Sequence, residues 1–517
     1  MRFNNETVQK SFHTYLDNAG LEKKAYQLDG VTWCVEREMG TMLDSLQVSQ
    51  GGNAKQFIRG GIVADEMGLG KTIMMLGICI TNMMTKTLIV LPFGLLQQWW
   101  LQIYKTTGHK AIIYHGANKK KYSVEQLNKS VIVLTTYGAI CGKINKVEST
   151  KKNKVIIEND LHKVKWNRII FDEAHHLRNK NTLLFLSALR LKSSIRWFVT
   201  GTPIQNKVKD FYSLCLLLGL PISFMKENID FIVKKFVLKR SKKEVGILLS
   251  DVVNVYKNVS WSETENVVNR EKLVSQKIHG LLEFSGVIDN VAIDDFNGTY
   301  KHLPDSGNNM AMVLLIRAKQ SCISSKLLIK KTAAAAAAAA DAAPVAGTCV
   351  VEDDTKLMFT SEKINIVVDL IYSRILNGNG KIIFCDFHEE MDIIEKRLCI
   401  LQNNIKIGKI DARTKKNNRM TLLNNPFDVL IIQINSGAEG LNLQENYSEI
   451  YFVSPHWNPS IEDQAIARCH RFGQKKPVSV FRFMMDGFDK ENKTISVEQH
   501  ISNVQTLKRE MIAGLFQ

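Results

Sequence analysis

Gly61-Ile62-Val63-Ala64-Asp65-Glu66-Met67-Gly68-Leu69-Gly70-Lys71-Thr72 runs straight into Ile73-Met74-Met75-Leu76-Gly77-Ile78-Cys79, and the join decides the fold. The first four residues are a short apolar run, which predicts a buried strand. The last seven read as a helix. Between them, glycines stand where backbone N–H groups must curl round an oxyanion. Lys71 has the reach for the β- and γ-phosphates of a nucleotide, Thr72 offers a hydroxyl for magnesium, and the helix N-terminus faces the anion. Gly68 and Gly70 supply the glycines. The strict phosphate-loop pattern has glycine at position 65, where this chain has Asp65. Taken alone, the segment is also compatible with a chance Gly-x-Gly-Lys-Thr turn.

A second segment answers the first. Arg168-Ile169-Ile170-Phe171 is a buried-looking strand that ends in Asp172-Glu173-Ala174-His175. Asp172 is suited to hold Mg²⁺ through its water shell, and Glu173 to polarise an attacking water. An isolated Asp-Glu pair also caps helices, but a phosphate loop a hundred residues earlier favours the catalytic reading. Upstream, Tyr26 and Gln27, with Gly30 to Trp33, offer an aromatic ring and an amide for adenine; a surface helix start fits the same residues.

Outward from these segments, short apolar runs alternate with helical patterns, as βαβ units do. The runs are 61–64, 87–90, 131–134, 168–171 and 197–200, then 381–384, 429–432, 450–453 and 478–481. Continuous apolar strands suit parallel sheets covered on both faces. The expectation is an α/β chain of two tandem lobes. Residues 1–21 form an N-terminal segment, 22–245 the first lobe, 246–355 an insertion, 356–485 the second lobe and 486–517 a helical tail. The insertion carries an apolar patch, Met312 to Ile329, that reads as helical, and eight consecutive alanines at 333–340 that read as a low-complexity linker.

Composition bounds the rest. The chain has 517 residues, enough for roughly three domains at about 150 residues each. Hydrophobic residues make 45% and charged residues 23%, which excludes wholesale disorder. Lys and Arg number 68 against 51 Asp and Glu, a formal +17, which points to a polyanionic partner. Nine cysteines without a Cys-x-x-Cys pair argue against a disulfide framework or a zinc module, and for a reducing compartment. No 18-residue apolar run free of charge occurs, so no membrane partner is expected.

The second lobe holds a further constellation. Gln464, Arg468 and Arg471 are spaced four and three apart, which places them on one face if the segment is a helix. Two guanidinium groups presented together suit the charge that develops on a transferring phosphoryl group. A solvated basic face is the plainer alternative.

This set resembles the Swi/Snf-type ATPases of helicase superfamily 2, over residues 22–245 and 356–485. Asp65 to Thr72 looks like that family's first motif and Asp172 to His175 like its second. Tyr26-Gln27 with Gly30 and Trp33 matches its adenine segment, and Leu91-Pro92 with Gln98-Trp99 a motif that contacts one DNA strand. Thr200-Gly201-Thr202-Pro203-Ile204-Gln205-Asn206 resembles the coupling motif, and Phe236 to Lys242 the basic segment closing the first lobe. Lys381 to Phe387, Ser436 to Leu443, His456 to Pro459 and Gln464 to Gln474 match motifs of the second lobe. The resemblance implies two RecA-like lobes with a helical insertion, and ATP and Mg²⁺ as cofactors. It also implies Lys71, Asp172, Glu173, Gln464, Arg468 and Arg471 as catalytic groups. Tyr26, Gln27, Gly68, Gly70, Lys71, Thr72 and Gly440 would contact the nucleotide, with Thr72 and Asp172 at the metal.

The implied activity is ATP-driven movement along double-stranded DNA, remodelling or displacing bound proteins in transcription, with transcription or viral proteins as further partners. Between Tyr104 and Arg168, 14 Lys and Arg face four Asp and Glu, a run suited to a phosphate backbone or to plain solubility. A strand-separating helicase and a non-catalytic transcription scaffold are the competing readings. The chain departs from the family at Ala412, at Glu439 and at Ile323-Ser324 after Cys322; none of these touches the groups that would bind ATP. Its trimmed size and Asn/Lys-rich character are similar to Swi/Snf-like proteins of large insect DNA viruses. That likeness implies action in the nucleus, or in a cytoplasmic viral factory or virion.

Overall fold

The structure, a computed structural model, describes residues 4–43, 56–144, 156–205, 207–247, 249–261, 305–324, 327, 361–401, 404–411, 413–414, 426–434, 441–488 and 495–516. The chain divides into two units, Met1–Leu248 with Ile512–Gln517, and Leu249–Met511. Each is an α/β lobe built on one all-parallel sheet.

In the first lobe, a ribbon pairs β1 (Thr41–Leu43) with β2 (Gln56–Ile58). The main sheet holds β3 (Gly60–Val63), β4 (Thr87–Leu91), β5 (Ile112–Tyr114) and β6 (Ile132–Thr136). A second ribbon joins β7 (Lys143–Ile144) to β8 (Ile156–Ile157), and β9 (Lys165–Asp172), β10 (Lys192–Val199) and β11 (Val237–Leu238) complete the sheet. Its order is β11-β3-β10-β9-β4-β6-β5. Successive side chains of a strand point to opposite faces, and the two cores of the lobe follow that alternation. Leu88, Val90, Ile169, Phe171 and Phe198 enter one core; Ile89, Leu91, Ile170, Trp197 and Val199 enter the other. Helices α1 (Asn5–Asn18), α2 (Ala25–Met39), α3 (Lys71–Thr81) and α4 (Leu96–Thr107) supply the second of these cores. The first is closed by helices Leu183–Arg190, Val208–Leu218 and Ile229–Phe236.

In the second lobe, β12 (Val252–Val259), β13 (Gly380–Cys385), β14 (Ile407–Ile410), β15 (Val429–Gln433), β16 (Tyr447–Phe452) and β17 (Val478–Met485) form the sheet β12-β17-β16-β13-β15-β14. The same alternation recurs. Ile383, Val429, Ile431, Tyr451, Phe481 and Phe483 face one core, and Ile382, Phe384, Leu430, Ile432, Ile450 and Val480 the other. The first is covered by helices Glu362–Ser373 and His388–Leu401. Leu315, Ala318 and Cys322 of the Asp305–Ile323 helix also enter it, so the apolar patch read from sequence is core of this lobe. The strand β12 falls within the stretch that sequence reading places between the lobes, yet it pairs in parallel with β17 over its whole length. The tail is helical over Val497–Leu515, with Val497 and Ile501 in the same core. Among the described residues, no helix is long and apolar enough to cross a membrane.

Candidate nucleotide site and the arginine segment

Parallel strands all end on one edge of their sheet, so the loops that follow β3, β9 and β10 are neighbours. After β3, the chain turns through Asp65–Gly70 and enters α3 at Lys71. Gly68 and Gly70 have φ of 92° and 80°, in the left-handed region that only glycine enters cheaply. A Cβ on Gly70 would lie 2.3 Å from Gln27 Nε2. That amide donates to the Leu69 carbonyl at 3.3 Å, which sets Gln27 directly over the loop. Lys71 Nζ donates to the loop's own Asp65 and Glu66 carbonyls, at 2.7 and 3.2 Å. Burial pulls the pKa of the Lys71 ammonium down, against the nearby carboxylates of Glu173, Asp65 and Asp172. Thr72 follows in the first turn of α3.

The base of the loop is clamped by a residue 175 positions away. Arg240 donates from Nε to Asp65 Oδ1 at 3.1 Å, from Nη2 to Asp65 Oδ2 at 2.6 Å, and from Nη1 to the Tyr26 carbonyl at 2.6 Å. Such a two-pronged carboxylate bond fixes orientation as well as charge. Gly30 makes room for it: a Cβ there would meet Arg240 Nη2 at 2.8 Å and Met74 Sδ at 2.6 Å. One guanidinium thus ties the adenine segment to the phosphate loop. Lys242 repeats the arrangement on Glu66, with its backbone N–H at 2.8 Å and its ammonium at 3.0 Å. Burial raises the Tyr26 phenol, and Arg240 opposes that shift.

At the end of β9, Asp172 is 8% exposed and each carboxylate oxygen has a donor. Glu173 N–H donates to Oδ1 at 3.0 Å, and the Trp99 indole N–H donates to Oδ2 at 2.7 Å. The Tyr137 hydroxyl donates to the Asp172 backbone carbonyl at 2.7 Å. Burial, then the Glu173 charge, push Asp172 up to about 7, while Trp99 and Lys71 pull it back. Glu173 itself has φ 51° and ψ 51°, a left-handed conformation that a branched-chain-free but non-glycine residue adopts at a cost of about 1–3 kcal/mol. Its Oε2 lies 3.3 Å from His175 Nδ1. After β10, Gly201 approaches the same loop: a Cβ there would stand 2.9 Å from Met67 Cε and 3.7 Å from Lys71 Nζ. Thr202 N–H donates to Thr200 Oγ1 at 3.1 Å, and Arg178 donates to Gln205.

In the second lobe, Pro459–Ile466 is a helix, capped by Asn458, whose side chain accepts from Ser460 N–H at 3.0 Å. Gln464 lies in it, 4% exposed, with its Nε2 bonded to no described partner. The helix ends at Ile466, and Arg468 and Arg471 lie beyond it in turns and bends. Past Ile466 the bonds tighten to three-residue turns: Arg468 N–H donates to the Ala465 carbonyl at 3.2 Å and Cys469 N–H to the Ile466 carbonyl at 3.0 Å, and Cys469 turns into the core. Arg471 donates to Asn442 Oδ1, and burial draws its pKa down.

Three comparisons with known proteins stand beside this geometry. A family model described as the SNF2-related domain matches residues 26–287, and one described as the helicase conserved C-terminal domain matches 362–473. The chain belongs to the SNF2-related family. It is therefore a member of a helicase-type ATPase family. The "Probable global transactivator" of Orgyia pseudotsugata multicapsid polyhedrosis virus is 28% identical over 88% of this chain and 87% of its own length. An uncharacterised ATP-dependent helicase of Schizosaccharomyces pombe is 25% identical, over 88% of this chain and 58% of its own length. The chain spans 56% of the length of a Candida albicans DNA repair protein, at 24% identity. Among solved structures, a Sulfolobus solfataricus SWI2/SNF2 ATPase core in complex with dsDNA aligns over 96% of both chains, at 21% identity and TM-score 0.37.

Within this SNF2-related chain, the first-lobe residues singled out from sequence gather at one sheet edge. One expectation changes. Trp99, read with Gln98 as part of a segment that contacts DNA, is 2% exposed and bonded to Asp172, whereas Gln98 is exposed. The amphipathic face of α4 explains it, since Leu96, Trp99 and Ile103 are buried at helical spacing. Arg240 was not singled out individually, and no local pattern marks its bond to Asp65. Gly440, with Glu439 and the rest of 435–440, lies outside the described residues, as do Asn206, Ala412, the alanine run and Lys151, Lys152 and Lys154.

Proposed function

We propose that this chain is a DNA-stimulated ATPase that translocates on double-stranded DNA and remodels or displaces DNA-bound proteins in transcription. The observation that carries the reading is the convergence of Asp65–Thr72, Asp172–Glu173 and Thr200–Gly201 on one edge of the first sheet. In this reading, Tyr26 and Gln27 hold adenine, while the Gly68–Gly70 backbone and Lys71 hold the phosphates. Lys71 exchanges its bonds to the loop carbonyls for the β- and γ-oxygens when the nucleotide arrives. Glu173 accepts the proton of the attacking water, with His175 Nδ1 3.3 Å from its carboxylate.

The donor set suits Mg²⁺, a hard cation that takes oxygen ligands and keeps several waters. Thr72 and Asp172 would hold it, where it neutralises phosphate charge. Among the described residues, no group of three His, Cys, Asp or Glu could hold an ion, so nucleotide phosphates would have to complete its shell. Gln464, Arg468 and Arg471 are assigned, by family likeness, to the γ-phosphate from the second lobe.

Double-stranded DNA as the track is supported by the +17 balance and by the exposed Lys105, Lys110, Lys120, Lys121 and Lys129 of the first lobe. The names of the relatives, a transactivator and DNA repair proteins, point the same way. The test is steady-state ATP hydrolysis without nucleic acid, and with duplex DNA, single-stranded DNA and RNA, beside Glu173→Gln. Stimulation by duplex is expected, with the variant slower by about 10²–10⁴-fold. Hydrolysis that ignores duplex DNA, or that survives in Glu173→Gln, sinks the proposal.

A further inference from the structure

We propose that Trp99 is a positioning residue of the nucleotide site, whose indole N–H locks the Asp172 carboxylate in the orientation that receives the magnesium accompanying ATP. The inference rests on the ATPase reading above.

Four other indoles of the chain show what a buried tryptophan ordinarily does with its single polar atom. Trp100, Trp166 and Trp261 donate to backbone carbonyls, of Ala111, Leu161 and Asp486. Trp197 donates to Glu38, but that carboxylate is already neutralised by Arg168 at 2.5 Å. Trp99 differs from all four. Its acceptor is a carboxylate at the carboxyl end of β9, reached across 73 residues of sequence, and no Arg or Lys forms an ion pair with it among the described residues. The Lys71 charge acts on it without an ion pair, so among the described residues the indole N–H is the carboxylate's one side-chain donor.

The geometry says how it is held. With Glu173 N–H on Oδ1 and Trp99 N–H on Oδ2, the carboxylate plane cannot rotate without breaking one bond. Each oxygen keeps a second lone-pair direction for an ion or its water. The Tyr137 hydroxyl on the Asp172 carbonyl fixes the backbone from behind. Donors of this kind set the orientation and charge of metal ligands, and losing one costs typically 10–100-fold in metal affinity. The same bond opposes the effect of burial, which disfavours the ionised carboxylate.

Two substitutions separate positioning from packing. Trp99→Phe keeps most of the ring volume and removes the N–H. Trp99→His loses the benzo ring but places an imidazole N–H where the indole N–H was. The folded chain is loaded with mant-ADP, and Mg²⁺ is titrated while probe anisotropy is followed; thermal unfolding without nucleotide and duplex DNA binding are read on the same proteins. The expected result is a half-saturating Mg²⁺ concentration raised about tenfold or more in Trp99→Phe, with Trp99→His within a few-fold of wild type. A packing role predicts the reverse order, and that order overturns the proposal. So does an unchanged Trp99→Phe, or a loss of DNA binding with Mg²⁺ response intact. Should Trp99→Phe fail to fold, Trp99→His decides alone: retained Mg²⁺ response supports the proposal and lost response overturns it. Failure of wild type to bind mant-ADP at all is a different result, and removes the ATPase reading itself.

Discussion

The two lobes share a plan and differ at one kind of turn. Both are parallel sheets buried on two faces, and in both a central strand runs into a helix whose first N–H groups lack partners. After β3, those groups are left bare by Gly68 and Gly70, with no side chain of the loop filling the cradle. After β13, a side chain of the helix His388–Leu401 ties down the turn that precedes it. Glu390, fully buried, turns back to accept from Asp386 N–H at 2.9 Å and Phe387 N–H at 3.1 Å. One lobe builds the turn from glycines, and the other plugs the turn with its own carboxylate. The difference teaches that a shared fold does not confer a shared site; three or four residues at one turn decide it.

The comparison breaks most visibly if the second lobe contributes nothing to the reaction. Arg468→Ala combined with Arg471→Ala should lower kcat by on the order of 10³–10⁵-fold, with mant-ADP affinity nearly unchanged, if these groups act only on developing charge. Single-turnover hydrolysis and nucleotide titration read the two quantities separately. Loss of nucleotide binding equal to the loss of rate would mean that the second lobe helps to bind, and the division of labour would fail.

A smaller effect sharpens the structural side. Both lobes bury glutamates among polar partners, and one from each makes the contrast. In the first, Glu38 takes two bonds from Arg168, at 2.6 and 2.5 Å, one from Trp197 and one from Asn82, and both charged side chains are fully buried. In the second, Glu449 takes bonds from Arg374, Asn377 and Tyr451, but the Arg374 side chain is 35% exposed. Glu38→Ala leaves a guanidinium buried without its counter-charge, and should cost about 3–5 kcal/mol. Glu449→Ala should cost less, about 1–3 kcal/mol, because Arg374 can turn to water and the buried Lys381, 3.7 Å from Glu449, keeps its bonds to Asn377 Oδ1 and the Asn379 carbonyl. Chemical denaturation of the two variants measures the gap. Equal losses would show that burial of the partner does not set the cost.

What sequence reading reached in these lobes follows the same logic of burial. The runs at 87–90, 168–171, 381–384 and 429–432 are interior strands, apolar on both faces, and a continuous apolar run is legible without knowledge of the neighbours. The strands of the two main sheets that it did not find are β5, β11, β12 and β14, and each lies at a sheet edge. Tyr256 of β12 is 70% exposed, and β11 is only Val237–Leu238, so neither carries the pattern of a buried strand. The phosphate loop and the Asp172-Glu173 pair were legible because each is a contiguous segment whose chemistry needs those residue types in that order. Arg240 on Asp65 and Trp99 on Asp172 were not, since the partners meet only once the strands are in register. The end of the helix before the arginines was also hidden: past Ile466 the bonds tighten to three-residue turns, and no Gly or Pro marks the change before Gly473.

The finest contrast is in pH response, and it returns to the plugged turn. Burial, then the Asp386 charge, raise the Glu390 carboxyl from 4.5 to about 8. A raised folded-state pKa means that the native chain binds the proton more tightly than the unfolded one. The contribution is therefore fully present below about 4.5 and is lost as pH rises toward about 8. Stability should decline with rising pH across that window. Glu390→Gln keeps an oxygen for the Asp386 and Phe387 N–H groups but cannot ionise, so the decline should flatten. Thermal unfolding of the whole chain at intervals between pH 5 and 8, wild type against Glu390→Gln, reads the two slopes. Parallel slopes would mean that the carboxyl stays ionised in the folded lobe, held so by Lys319, whose Nζ lies 2.5 Å from Asp386. The plug would then be a permanent anion, held by the N–H groups of Asp386 and Phe387.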